Sequence, residues 1–285
     1  MARYLDPKAD LTFKKVFGEH PNLVASLLNS LLPLPDGEEI ADIEYMSPER
    51  VPRTSIGKNS IVDVFCKTKD GRKFIVEMQM CWTADFKDRA LFNSAKVYVD
   101  QLEHAEDFSL LRPVYSLNLV DAVFEKDVPE FIHHYQVVHE KNTDKLIEGF
   151  HIVFVELPKF KPQSIAERKM AVLWLRFLTE INKTTEQVPE EFLESSEISQ
   201  AVKLVEESAY TREQLMGYDL FWDAVRVAKT LASAPERSYK AGLKEGEAKG
   251  KEKLLQTAHN LKAMNLAVEQ IAKATGLTVE EVVSS

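Results

Sequence analysis

Cysteine is scarce: Cys66 and Cys81 are the two in 285 residues. They make no disulfide framework, and their spacing matches no metal-ligand pattern. Long apolar runs are absent; none approaches the roughly 18 residues of a membrane span. A secretory leader pattern is also absent. Positive charge is in deficit, with 36 Lys and Arg against 45 Asp and Glu, a net charge of −9. The chain as a whole is therefore no polycation shaped for phosphate, and any nucleic-acid contact needs a local basic patch. These absences lead us to expect a soluble protein of a reducing cytoplasm, with no membrane partner. The length suits one large domain or two modest ones. A hydrophobic content of 45% is ordinary for a globular chain.

What is present is concentrated between Lys58 and Arg89. Ile61-Val62-Asp63-Val64-Phe65-Cys66 and Phe74-Ile75-Val76-Glu77-Met78-Gln79-Met80 read with period 2 as two strands. Ile61, Asp63 and Phe65 share one face of the first. Ile75, Glu77 and Gln79 share one face of the second. Each strand carries an acid in a largely apolar row, and a half-buried carboxylate is costly unless paired or metal-bound. The turn decides whether the acids meet. A two-residue Asp70-Gly71 turn opposes Asp63 to Met78 and puts the acids on opposite faces. A three-residue loop, Lys69-Asp70-Gly71, pairs Thr68 with Arg72 and Asp63 with Glu77. That loop needs positive φ at its last position, where Gly71 stands. The two Cβ atoms are then about 5 Å apart, with Gln79 next on the same face. Carboxylates that close share a proton or a hard cation such as Mg²⁺. The bland alternative is an edge hairpin whose acids face water.

Asp, a hairpin turn, then Glu-x-Gln resembles a variant of the PD-(D/E)xK nuclease signature. The chain is similar in particular to the Rpn family of recombination-promoting nucleases, also described as transposases. Asp10-Leu11-Thr12-Phe13-Lys14-Lys15-Val16-Phe17, the Leu27-Leu28-Asn29-Ser30-Leu31-Leu32 helix end, and Arg89 with Tyr98 carry the likeness. It spans residues 5 to 230. The resemblance implies a restriction-endonuclease-like α/β core and a metal-dependent DNA endonuclease that hydrolyses phosphodiester bonds and promotes recombination. DNA is the implied partner and Mg²⁺ the implied cofactor. Asp63 and Glu77 become metal ligands with the backbone carbonyl of Met78. Asp10 matches the acid such nucleases carry on a first helix; a helix N-cap is the equal alternative. Gln79 stands where the signature has lysine and offers an amide in place of a charge. Lys14 best fits the missing cation, with Lys15, Arg89 and Lys96 the other candidates. If none reaches the site, a nuclease fold without chemistry would serve as a DNA- or protein-binding module. No separate DDE-type acid triad is present.

In chain order, Leu11, Phe13, Val16 and Phe17 predict a short helix to Gly18, and Leu23, Leu27, Leu28 and Leu31 the stripe of a second. Ile40 to Met46 reads as an edge strand. Asp85 to Leu102 predicts a helix with Leu91, Ala95, Tyr98 and Leu102 on its apolar stripe and Arg89, Asn93 and Lys96 on a polar one. Val114–Phe124, with its apolar stretch over Val114–Val120, Tyr135–Val138 and His151–Leu157 read as further strands, giving an α/β core of about residues 5–160 with a mixed sheet. From residue 163 to 235 the pattern is helical and predicts a bundle, with helices at Ala166–Asn182, Pro189–Glu207 and Gln214–Ala234. His133, His134 and His139 read as surface residues. Residues 236–285 form a helical, Gly-spaced C-terminal tail, with Gly242, Gly246 and Gly250 in a charged segment whose bland reading is a flexible linker. Its apolar residues, Leu254, Leu255, Leu261, Met264, Leu266, Ile271, Leu277 and Val282, are expected to need a partner surface, hence a homodimer through the tail. Ile271 to Val282 resembles half of a helix-turn-helix, but its acidic end does not suit a DNA groove.

Overall fold

The computed structural model describes residues 3–50, 60–103, 105–162, 169–263 and 267–284. The start of the stretch at Lys58, the start of the helix expected from Ala166, and Met264 and Leu266 lie outside these residues. Six strands form one mixed sheet in the order β1-β4-β5-β6-β8-β7. They are β1 (Glu44–Tyr45), β4 (Val64–Lys67), β5 (Lys73–Gln79), β6 (Val114–Val120), β7 (Ile132–His139) and β8 (Asn142–Glu156). A separate antiparallel pair joins β2 (Glu49–Arg50) to β3 (Ser60–Ile61). β1, β4 and β5 are antiparallel, β5, β6 and β8 are parallel, and β7 returns antiparallel on β8. A parallel step needs a crossover, and the helix following β5 supplies it before β6. β6 is buried along its whole length, as a doubly covered strand is; its two polar residues, Ser116 and Asn118, bond to each other, and Asn118 also donates to the Val153 carbonyl at 3.1 Å.

Helices cover both faces. On one side lie α1 (Asp10–Phe13), running on as a π-helical turn over Lys14–Gly18, and α2 (Pro21–Leu31). With α4 (Lys169–Glu180) and α6 (Ser196–Leu204) they share a core that includes Phe17, Leu27, Val64, Val76, Leu117, Val153 and Trp174. Pro21 opens α2, where its missing N–H is no loss, and the stripe Leu23, Leu27, Leu28 and Leu31 is buried as expected. On the other side α3 (Phe86–Val99) packs on Phe65, Ile75 and Val114 through Val97, and on Val120, Ile152 and Phe154 through Phe86 and Ala90.

Three expectations change. The strand expected over Ile61–Cys66 is interrupted: β3 ends at Ile61 and β4 begins at Val64, so Asp63 occupies the break. The strand expected over Ile40–Met46 shortens to β1, and Ile40 instead exchanges two hydrogen bonds with the Asn29 side chain. The apolar stripe of α3 is out of phase with the expected one. Its buried face is Phe86, Ala90, Asn93, Ser94 and Val97, and Leu91 is half exposed. Small residues let the helix approach the sheet, and a polar side chain on that face has a partner waiting beneath it.

The chain divides into two compact units, Met1–Ala228 and Lys229–Ser285. α5 (Glu190–Glu194) and α6 come from the expected Pro189–Glu207 helix, which breaks at Ser195. α7 runs from Arg212 to Ala263 without the expected stop at Pro235, so the C-terminal region is helical as expected and its Gly-spaced segment is not the linker of the bland reading. A Cβ on Gly242, Gly246 or Gly250 would meet nothing within 4 Å. Helix-spaced ion pairs, such as Glu245 with Lys249 at 2.7 Å, offset part of the glycine cost. In the second unit α8 (Val268–Thr275) and α9 (Val279–Ser284) pack Ala258, Ile271, Leu277 and Val282 into a small core. Gly276, at φ +72°, ends α8. A capping box opens α9: Thr278 N–H donates to Glu281 at 3.0 Å, and Glu281 N–H donates to Thr278 Oγ1 at 3.2 Å. Much of the tail's apolar stripe is therefore satisfied within the tail, which corrects the expectation that it has no core of its own.

Candidate active site

The β4–β5 hairpin sets the geometry. Val64 pairs with Val76 and Lys67 with Lys73. Thr68 N–H donates to the Arg72 carbonyl at 3.1 Å, and Gly71 N–H to the Thr68 carbonyl at 3.0 Å. Gly71 has φ +90°. This is the three-residue loop. Carried one step past Val64, the same register sets Asp63 against Glu77.

Asp63 no longer follows the strand; its carboxylate turns to the β5 backbone. Oδ2 accepts the N–H of Met78 at 2.7 Å. Burial raises its pKa above the usual carboxylate range, the Met78 N–H works against that, Asp10 adds to the rise, and Lys14 and Arg89 oppose it. Glu77 is buried, and Oε1 accepts from the Asn93 amide at 2.8 Å. Its pKa is pushed up to about 7, mainly by burial; the Asn93 bond opposes the rise and the Asp63 charge adds to it. Each carboxylate thus has one oxygen fixed by the scaffold. Among the described residues neither Asp63 nor Glu77 forms an ion pair with a Lys or Arg.

Met78 completes the donor set. Its neighbour Gln79 accepts from Asp121 N–H through its carbonyl, on the β6 side. Successive residues of a strand point their N–H and C=O to opposite edges. Met78 therefore turns both groups to the side where its N–H meets Asp63. Gln79 is held at both ends: Oε1 accepts from Arg89 Nη2 at 2.7 Å, and Nε2 donates to the Cys81 carbonyl at 2.6 Å. Arg89 also lies over the Phe86 ring, 4.8 Å from its centroid.

The outer positions sort as follows. Asp10 is the first residue of α1, whose N-cap is Ala9, so the capping alternative for Asp10 falls. Its carboxylate pairs with Lys14 Nζ at 2.7 Å, and both are about half exposed. Lys15 turns away, donating to the Ala209 carbonyl and lying 4.0 Å from the Tyr210 ring centroid. Tyr98 packs on Phe150, a bracing role. Cys66 is buried, and its thiol is pushed up to about 12. His134 and His139 are exposed, but His133 is not a surface residue: it meets the fully buried carboxylate of Glu156 at 2.7 Å. Sequence reasoning places Asn93 on a polar stripe without a role. The signal was the i,i+4 spacing of Arg89 and Asn93, which sets both on the helix face over β5.

The arrangement fits a small hard cation. Its donors are oxygens only: two carboxylates, each with its pKa raised by burial and without a Lys or Arg ion pair among the described residues, and a carbonyl beside them. Among the described residues no three His, Cys, Asp or Glu side chains converge on one point. Mg²⁺ needs no such cage, because it keeps several waters and takes one or two protein carboxylates along with substrate phosphates. No helix among the described residues is long and apolar enough to cross a membrane. The family model of PD-(D/E)XK nuclease family transposases matches residues 7–224. No curated protein and no solved structure is significantly similar to the chain.

Proposed function

The chain belongs to the PD-(D/E)XK nuclease family transposases, and from that premise we propose that it is a Mg²⁺-dependent endodeoxyribonuclease. The observation that carries the reading is the approach of Asp63, half-buried, to the buried Glu77 across the β4–β5 register, beside Arg89. Asp63 and Glu77 would hold the cation with the Met78 carbonyl, and Asp10 would reach it through water. Bound there, Mg²⁺ would supply the Lewis acid that polarises the scissile phosphate and activates water at neutral pH.

The chain's own residues account for the rest. The Met78 N–H and the Asn93 amide fix the two carboxylates before substrate arrives. The Gln79 amide is spent on Arg89 and Cys81, so it cannot replace the charge of a lysine. Arg89 is the cation it positions, and a guanidinium is a bidentate phosphate donor. Lys14 stands second, because its ammonium is already paired with Asp10. Breakage of DNA by this centre would promote recombination, in keeping with the likeness to Rpn nucleases and the transposase family. A homodimer suits such an enzyme, since two centres then address two strands.

Two observations favour a second reading. The lysine position holds an engaged amide, and the net charge is −9. A chain without chemistry would bind DNA or a protein through the same face. Plasmid nicking with Mg²⁺, run beside calorimetric Mg²⁺ titration, separates the two. Wild type should nick and bind; Asp63→Asn, which can still accept from Met78 N–H, should do neither while keeping its circular dichroism. Cleavage by Asp63→Asn at the wild-type rate removes the site assignment. Mg²⁺ binding without cleavage by wild type supports the second reading.

A further inference from the structure

We propose that Asn118, on β6, is a positioning residue of the Asp63–Glu77 centre: its amide oxygen turns the free oxygen of Glu77 toward β4 and the cation. The inference rests on the Mg²⁺ reading above. Parallel pairing sets Asn118 against Glu77 on one side and against Phe154 on the other. Register partners in a sheet present their side chains to one face, here the face under α3. Two apolar clusters lie on that face, and a polar layer separates them. On β6, Val114 belongs to one cluster and Val120 to the other, with Ser116 and Asn118 between. On α3, Val97 and Ala90 are divided likewise by the buried Asn93 and Ser94. Glu77 sits in this layer, with Oε1 held by Asn93.

Asn118 is fully buried, and its Nδ2 donates to Ser116 Oγ at 3.0 Å and to the Val153 carbonyl at 3.1 Å. Its Oδ1 is the one buried side-chain nitrogen or oxygen without a hydrogen-bond partner among the described residues. An orphaned acceptor costs stability, and an apolar residue in this row would avoid that cost. The amide is planar, so with Nδ2 turned to β8, Oδ1 turns to β5, the strand of Glu77. Two acceptors then face each other: Asn118 Oδ1 and the Glu77 oxygen that Asn93 leaves free. Like partial charges repel strongly in a low-dielectric interior. The carboxylate therefore keeps its free oxygen away from β6. The side left open is that of β4, where Asp63 meets the Met78 N–H. Glu77 keeps 8% of its surface exposed and Asn118 none, so the carboxylate has an outlet that the amide lacks. A donor at position 118 would capture the free oxygen and compete with the cation.

Calorimetric Mg²⁺ titration of the full chain at pH 8, beside its melting in chelator, tests this. Asn118→Leu and the smaller Asn118→Val remove the amide oxygen, and each should bind Mg²⁺ about tenfold or more weakly. A purely structural Asn118 would change melting and leave that affinity alone. A double-mutant cycle in metal-free protein reads the contact itself. The amide of Glu77→Gln can donate to Asn118 Oδ1, so Glu77→Gln should raise the melting temperature more with Asn118 present than beside Asn118→Leu or Asn118→Val. Wild-type Mg²⁺ affinity in the folded Asn118 variants, or additive effects in the cycle, overturns the inference. A crystal structure of wild type with Mg²⁺ needs no variant: Glu77 should keep Oε1 on Asn93 and turn Oε2 to β4. An Oε2 directed at β6 overturns the inference as well. A wild type that binds no Mg²⁺ removes the metal reading itself, and the inference with it.

Discussion

Glu77 lies on a buried strand face, yet its carboxyl is pushed up to about 7 and not out of the titrating range. Two contacts explain the compromise. Burial favours the neutral acid, and the Asn93 amide favours the anion. The sign of the consequence follows from linkage. A carboxyl whose folded pKa lies above its unfolded value of 4.5 gives stability that is full below 4.5 and is lost as pH rises through 7. Asp63 is shifted in the same direction and adds to the effect. Metal-free protein in chelator should therefore melt at lower temperature at pH 8 than at pH 5.5, and Glu77→Gln should flatten that slope. Added Mg²⁺ should reverse it, because the cation stabilises the anions and its binding releases protons. Scanning calorimetry at the two pH values, with and without Mg²⁺, reads both effects. A wild-type slope identical to that of Glu77→Gln would show that Glu77 ionises as it does in water.

At the scale of the element, the β4–β5 hairpin was legible and α3 was not. The hairpin carries its own instruction, since one glycine at the third loop position selects between two registers that differ in every cross-strand pair. Gly71→Val should therefore destabilise the protein by more than about 1 kcal/mol in urea melts, because a β-branched residue resists positive φ. An unchanged midpoint would mean that the loop tolerates another geometry. The break at Val62–Asp63 was not legible, because alternation continues through it; it arises when the Asp63 side chain takes the Met78 N–H in place of a strand partner. α3 defeats a hydrophobicity count for a related reason. Its buried face contains Asn93 and Ser94, and the worth of Asn93 there depends on Glu77, a residue on another element. His133 was misread in the same way, for its partner Glu156 lies on β8.

Over the whole molecule, periodicity described the nuclease-like region better than the C-terminal unit. Residues 236–285 read as helical but looked too poor in apolar side chains for a core, with a glycine-spaced break as the alternative. Instead α7 continues through that stretch, and Leu255, Ala258, Val268, Ile271, Leu277 and Val282 gather around the α8–α9 turn. The turn has its own local determinants, Gly276 in the left-handed region and the Thr278/Glu281 box. Lys262 Nζ adds a bond to the Val283 carbonyl at 2.8 Å, at the end of α9, where a cation meets the helix dipole. So small a core is marginal, whereas the Met1–Ala228 unit holds the main core around the sheet. Heating should thus give two transitions, the lower one from the C-terminal unit. Ile271→Asp places a charge in the smaller core without a partner, and it should abolish the lower transition while leaving the upper one unmoved. Limited proteolysis should then cut the variant after residue 228 and leave a folded fragment that still binds Mg²⁺. A single transition in wild type, shifted as a whole by Ile271→Asp, would mean that the two units fold as one.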